Sequence, residues 1–107
     1  MAGPSRPSAR VRIAFDREAL VRFCLQRAIR RLGFFGSVLR DDFDDRSDVD
    51  VLVEFLPGHT PGLAFFEMEE ELSLLLGRRV DLNTPAFLSP HFRDDALRGA
   101  EIVYEQA

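Results

Sequence analysis

Residues 49–55, Val-Asp-Val-Leu-Val-Glu-Phe, form the clearest strand in the sequence. They are rich in β-branched side chains and nearly continuous in their apolar character, which is typical of a strand that is covered on both faces. A strand of this kind needs other strands beside it and helices packed on the sheet. The segment therefore predicts a domain that combines helices with a sheet and has residues 49–55 near its centre.

The neighbours of this strand are predicted from periodicity and from residues that begin and end helices. Asp16 can cap a first helix, Thr60 followed by Pro61 can begin a second, and Gly77 can end it. The predicted helices cover residues 16–27, 61–76 and 90–98, and the predicted strands cover residues 29–36, 49–55, 79–83 and 101–104. This order predicts an α/β (α+β) domain with a small mixed sheet and helices packed on it.

Charge divides the chain into two parts. Residues 1–31 contain eight Arg and two acidic residues, a net charge of +6, whereas residues 32–107 contain six Arg and 16 acidic residues, a net charge of −10. We predict a disordered basic N-terminal tail over residues 1–12 and a single folded domain over residues 13–107. An acidic body is a poor partner for a phosphate backbone, so we expect no direct nucleic-acid binding, but it suits metal cations.

Several classes of protein are excluded by what the 107 residues lack. No apolar run reaches the roughly 18 residues of a membrane span, and the N-terminus has no apolar core of a secretory signal. Cys24 is the only cysteine, so disulfides within the chain are excluded. His59 and His91 stand 32 residues apart without the spacing of metal ligands, and we expect both at the surface. The expected location is the cytoplasm.

Six aspartates lie between positions 41 and 50. A solvated acidic loop is the usual fate of such a run and suits those over residues 41–45. Asp48 and Asp50 differ, because they adjoin the apolar strand and their spacing of two places them on the same face, with Leu52. Like charges at the end of a buried strand repel each other, and a divalent cation removes that penalty. An EF-hand is excluded, since the loop lacks its glycine and its bidentate glutamate.

Two further features can complete such a site. Asp81 lies between Val80 and Leu82, so it should face away from the core, and it can meet the other carboxylates if its strand pairs beside residues 49–55. An exposed charge on a half-buried strand is an equally good interpretation of Asp81 alone. Gly36-Ser37 follows the first strand, where a glycine lets backbone N–H groups approach a phosphate and a serine adds a hydroxyl. Such a pair is in itself usually only a turn.

The spacing of these features resembles a known family. Gly36-Ser37, ten intervening residues and Asp48-Val49-Asp50 match the GS-x10-DxD signature of the DNA polymerase β-like nucleotidyltransferases. The resemblance extends over roughly residues 15–105 and is strongest to the minimal nucleotidyltransferases of prokaryotes, the MNT/MntA-like group.

The resemblance implies a role for each matching residue. Gly36 and Ser37 would hold the nucleotide triphosphate, and Arg40 is kept in the same motif. Asp48 and Asp50 would bind two Mg²⁺ ions, and Asp81 would be the third carboxylate, which binds the catalytic metal and helps to deprotonate the attacking hydroxyl. Many members read Gly-Ser-x-Ala-Arg-Gly, and this chain departs from that pattern at positions 39 and 41, which are Leu and Asp.

Family members of this size are typically antitoxins encoded beside a HEPN-domain ribonuclease toxin. The resemblance therefore implies a Mg²⁺-dependent protein adenylyltransferase that transfers AMP from ATP to a tyrosine of its toxin. An antitoxin that neutralises its toxin by binding alone is the alternative. Transfer to a small molecule is disfavoured, because the chain has no second domain to build an acceptor pocket.

The helix predicted over residues 61–76 leaves one question open. Its core-facing stripe is formed by Phe65, Met68, Leu72, Leu75 and Leu76. Leu63, Phe66 and Leu74 lie off this stripe. Either the small sheet buries them as well, or they form an exposed apolar strip, with Glu67, Glu70 and Glu71 at its rim, that a toxin covers.

Overall fold

The computed structural model describes residues 11, 13–41, 43–44 and 46–106. Four strands form one sheet in the order β3-β2-β1-β4. They are β1 (Ile29–Phe35), β2 (Val49–Phe55), β3 (Val80–Asn83) and β4 (Glu101–Glu105). β1 pairs antiparallel with both β2 and β4, whereas β2 and β3 run parallel. The predicted mixed sheet is confirmed, with residues 49–55 as an interior strand.

Three helices connect and cover the strands: α1 (Arg17–Gln26), α2 (Ala64–Leu76) and α3 (Pro90–Gly99). The Asp16 carboxylate caps α1 by accepting hydrogen bonds from the backbone N–H groups of Glu18 and Ala19, at 3.0 and 3.2 Å. Short 3₁₀ turns occupy Gly36–Leu39 and Pro85–Phe87.

The predicted start of the second helix at residue 61 is wrong. The helix begins at Ala64, and Thr60 does not cap it. Gly62 lies between the two positions with φ +64°, in the left-handed region, and an α-helix cannot continue through that conformation. Gly77, also left-handed with φ +69°, ends the helix where the sequence predicts.

The sheet divides the interior into two layers. Alternate residues of β2 point to opposite faces, so Val49, Val51 and Val53 pack with α1 and α2, whereas Leu52 packs with α3. The same alternation directs Asp48, Asp50 and Asp81 to the α3 side. The larger core therefore lies under α1 and α2, and the acidic residues share the other face.

β3 is an edge strand, and α2 covers its free backbone groups. Ser73 Oγ accepts from the Val80 N–H at 3.1 Å, and Glu69 Oε2 accepts from the Leu82 N–H at 2.8 Å. These bonds block further strand pairing at this edge and fix the helix to the strand that carries Asp81.

Several other expectations can be compared with the structure. His59 and His91 are exposed, as predicted. The tail predicted over residues 1–12 lies outside the described residues except for Val11, which packs against the core. Within the described residues, no helix is long and apolar enough to cross a membrane.

Candidate active site

Two carboxylates meet because β2 and β3 pair in parallel with Asp50 opposite Asp81. Both belong to positions that point toward α3, so the two carboxyl groups lie close enough to interact by charge. The parallel pairing thus provides the juxtaposition that the sequence left open for Asp81.

Burial and charge act together on Asp50. Its half-buried position, and then the neighbouring charges of Asp81 and Asp48, raise the pKa of this carboxyl to about 6. The Arg40 guanidinium opposes them by lowering the pKa. A carboxyl held in this way is poised to exchange its proton for a cation.

Gly36 brings the backbone against this carboxylate. Phe35 pairs with Asp50 across the two antiparallel strands, so the chain turns beside Asp50 immediately after β1. Gly36 has φ +75°, and a Cβ atom at this position would lie 2.3 Å from Asp50 Oδ2. A side chain fits there only if the Asp50 carboxylate moves away. Ser37 follows as the next residue of the 3₁₀ turn, and its carbonyl accepts from the Arg40 N–H at 2.9 Å.

Asp48, like Asp81, is exposed. It precedes β2, and its carboxylate lies 3.9 Å from the Arg79 guanidinium, in an ion pair whose two side chains are both largely exposed. The structure therefore gathers Gly36, Arg40, Asp50 and Asp81 closely, with Asp48 near enough to act on Asp50 by charge.

The preceding acidic segment has a structural role. Asp44 Oδ1 accepts from the Arg46 N–H at 2.9 Å, and Arg78 donates to the carbonyl of Asp44 at 2.8 Å while lying over the Phe43 ring. The loop interpretation is therefore confirmed for Asp44. Asp42 and Asp45 lie outside the described residues.

Comparisons with known proteins agree with this geometry. The family model of the nucleotidyltransferase domain matches residues 17–103. This chain is a member of the nucleotidyltransferase family. The protein adenylyltransferase MntA of Thermococcus cleftensis is 43% identical over 77 residues, which cover 71% of this chain and 74% of that relative.

Solved structures show the same fold. One described as a candidate minimal nucleotidyltransferase is 38% identical, with a TM-score of 0.67 over 79% of this chain and 86% of the other. A tri-AMPylated HEPN toxin of Shewanella oneidensis in complex with an MNT antitoxin provides a second match. Its TM-score is 0.62 at 16% identity, over 84% of this chain and 70% of the other, which establishes the likeness of fold alone.

The donor set of this nucleotidyltransferase fits Mg²⁺. Among the described residues, no three His, Cys, Asp or Glu side chains are grouped closely enough to form a metal site by themselves. Mg²⁺ does not need such a cage, because it commonly binds through one or two carboxylates and completes its shell with water and substrate phosphates. Asp50 and Asp81, which lie beside each other on the paired strands, would provide that pair. The predicted triad with Asp48 stays a prediction.

A cavity of about 480 Å³ opens beside these residues, and it shows what sequence reasoning missed. Gly36, Arg40 and Asp50 form one wall, and Phe92 and Asp95 of α3 belong to the other. The Phe92 ring is half-exposed and meets Phe35 edge-on at 6.2 Å. Phe92 is an aromatic residue in the otherwise polar first turns of α3, and this contrast is the signal that could have identified it from the sequence.

Proposed function

We propose that this chain is a Mg²⁺-dependent protein adenylyltransferase and the antitoxin of a HEPN toxin. It would transfer AMP from ATP to a tyrosine hydroxyl of the toxin encoded in the adjacent reading frame. The observation that carries the proposal is the register of β2 and β3, which sets Asp81 beside Asp50, a lining residue of the cavity. Gly36, where a Cβ atom would clash with the Asp50 carboxylate, lies directly against that carboxylate.

The chemistry is an in-line displacement at the α-phosphate. The oxygen of the acceptor hydroxyl forms a bond to the α-phosphorus, the bond from that phosphorus to the bridging oxygen breaks, and pyrophosphate leaves. Bound Mg²⁺ would neutralise the triphosphate and stabilise the charge that develops on it. The hydroxyl proton passes to a carboxylate, for which Asp81, the more exposed member of the pair, is the candidate.

The remaining cavity residues would position the nucleotide. Gly36 and Ser37 offer backbone N–H groups and a hydroxyl to the phosphates, and Arg40 adds positive charge on the same side. Phe92, half-exposed on the opposite wall, offers a surface on which the base can stack. Most of the rate enhancement would come from this positioning and from charge stabilisation.

Phe92→Ala is expected to raise the KM for ATP about tenfold while kcat changes much less. Base stacking on an aromatic side chain contributes roughly 1–3 kcal/mol, and this interaction is the same in the ground state and the transition state. Phe92→Tyr keeps a ring and should retain the wild-type KM. Steady-state kinetics of the two variants make the comparison, and an unchanged KM in Phe92→Ala would place the base elsewhere.

The proposal is tested by mixing the chain with its HEPN protein, Mg²⁺ and ATP, and then measuring ribonuclease activity and intact mass. Adenylyltransfer predicts that a small amount of antitoxin inactivates an excess of toxin and that the toxin gains the mass of AMP. Inhibition that needs one antitoxin per toxin, works without ATP and leaves the toxin mass unchanged would support the binding-only alternative.

A further inference from the structure

One face of α2 carries large apolar side chains that the fold does not cover. Leu63, immediately before the helix, is 85% exposed, Phe66 is 66% exposed and Leu74 is 85% exposed. Glu67 and Glu70 lie between them and are also exposed. At 100° per residue these five side chains fall within about a third of the helix circumference. We call these five residues the α2 face.

The α2 face is opposite the side that packs on the sheet. The buried residues of the helix are Phe65, Met68, Leu72 and Leu76, and they complete the core without help from the exposed set. The apolar members of the α2 face extend about 16 Å along the axis, from residue 63 to residue 74. The sequence left open whether these residues belong to the core, and the structure places them at the surface.

The glutamates of α2 also fall into two groups, those bonded to other elements of the fold and those on the exposed face. Glu69 accepts from the Leu82 N–H, and Glu71 accepts from the Arg27 Nε at 3.1 Å, so both hold the helix in place. Glu67 and Glu70 form no ion pair within the described part of the chain, and both belong to the α2 face. This face therefore combines apolar side chains with two negative charges that no ion pair within the described residues neutralises.

An apolar cavity of about 450 Å³ lies at the N-terminal end of the helix. It is lined by residues 60–62 and Phe65, by residues 53–55 of β2 and by residues 84–86. These residues of β2 lie toward the opposite end of the strand from Asp50, roughly 10–16 Å away at about 3.3 Å per residue. A side chain of a partner that docks on α2 could enter this cavity without reaching the catalytic one.

The negative charges of the α2 face favour a basic partner protein over a second copy of this chain or its own N-terminal residues. A second copy of this chain would bring Glu67 and Glu70 close to their equivalents across a two-fold interface, and like charges would repel. Residues 1–10 of the same chain are basic but contain only Met1 as a large apolar residue. A protein that acts on RNA must present positive charge, which complements the two glutamates.

We propose that the α2 face, with the adjoining apolar cavity, is the surface on which the HEPN toxin docks. The identity of this partner rests on the proposed function. Exposed apolar residues in the centre of an interface usually dominate its affinity, and here they are Phe66 and Leu74. Because α2 and the catalytic residues lie on opposite faces of the sheet, docking leaves the nucleotide site open, and the acceptor tyrosine has to reach that site from a part of the toxin beyond the α2 contact.

The double variant Phe66→Ser with Leu74→Ser tests the proposal. The affinity for the HEPN protein, measured by calorimetry, is expected to fall at least about tenfold. Thermal melting and the affinity for Mg²⁺-ATP should stay close to wild-type values, because both residues are largely exposed and neither lines the catalytic cavity. Leu25→Ser on α1 is the matched control, since it removes a 57% exposed leucine from another helix and should leave toxin affinity unchanged.

A second variant, Glu67→Lys with Glu70→Lys, keeps the test independent of the apolar changes. It should slow association with the HEPN protein several-fold at low salt, and the difference should shrink at high salt. Wild-type affinity in both double variants, with toxin binding by the wild-type chain intact, would overturn the docking surface and leave the proposed function standing. Absence of toxin binding by the wild-type chain would overturn both. Dimerisation abolished by the Phe66 and Leu74 changes would assign this face to a second copy instead.

Discussion

Asp50→Asn is expected to reduce adenylyltransfer by roughly a thousandfold or more while the protein stays folded. Asp50 lies at the centre of the site. Asp81 and Gly36 lie directly beside its carboxylate, and Arg40 is close enough to lower its pKa. Asparagine preserves the shape of the side chain and removes the charge that would hold a cation. Steady-state transfer to the HEPN protein measures the effect.

Asp44→Asn is the matched control for this change. It lies in the same acidic run, but its side chain accepts a hydrogen bond within the loop, which an amide oxygen can also accept. Transfer by Asp44→Asn should stay within about twofold of wild type, as is usual for a surface change away from the site. Comparable losses in both variants would mean that Asp50 acts only through the negative charge that it shares with the whole acidic run, and not as part of a specific site.

The same substitution should alter the pH dependence of stability in the metal-free protein. The folded-state pKa of Asp50 is about 6, above its ordinary value of 3.8, so the folded state binds more protons between these values. Its contribution to stability is therefore fully present below about pH 4 and is lost as the pH rises through about 6. Removing the carboxylate should make the Tm at pH 7.5 equal to or higher than that of wild type. A clear fall in Tm would contradict the conclusion that the ionised Asp50 carboxylate destabilises the metal-free protein.

Gly36→Ala is expected to lower transfer about a hundredfold or more, because the new methyl group would occupy the space of the Asp50 carboxylate. The backbone adds to the problem, since a left-handed φ costs a residue other than glycine about 1 kcal/mol. The carboxylate would have to move, and with it the pairing to Asp81. Transfer kinetics and thermal melting of the variant measure both effects.

Gly58→Ala separates the two contributions. Gly58 has φ +80°, close to that of Gly36, but a Cβ atom there has no neighbour within 4 Å. It should lower the Tm by a similar backbone cost and leave transfer unchanged. Ser37→Ala should lie between the two variants, because one hydroxyl contributes about 0.5–3 kcal/mol. If the Gly36→Ala variant were as active as Gly58→Ala, the contact between Gly36 and the Asp50 carboxylate would not be needed for transfer.

Much of the fold could be predicted from local signals. The valines over 49–55 mark the strand, which begins directly after Asp48 and ends two residues before Pro57. The capping aspartate at position 16 and the left-handed glycine at position 77 set helix ends by chemistry that is local to the chain. The start of α2 was missed, since Gly62 adopts a left-handed conformation that a Thr-Pro pair does not reveal.

The candidate site required information that sequence spacing does not contain. The spacing of two between Asp48 and Asp50 predicts a shared face, but the partnership with Asp81 depends on which strand pairs with β2 and in which register. Phe92 was missed for a similar reason, because only the packing of α3 on the sheet brings it to the cavity. The exposure of Phe66 and Leu74 likewise depends on how far the small sheet extends around α2.

The central claim is most directly tested by following each phosphate of ATP. The chain is incubated with its HEPN protein, Mg²⁺ and ATP labelled either at the α-phosphate or at the γ-phosphate, and the proteins are separated. We expect the α label to remain covalently on a tyrosine of the HEPN protein, the γ label to leave as pyrophosphate, and neither label to be transferred by Asp50→Asn. Retention of the γ label would indicate phosphorylation, and full neutralisation of the toxin without either label would contradict adenylyltransfer.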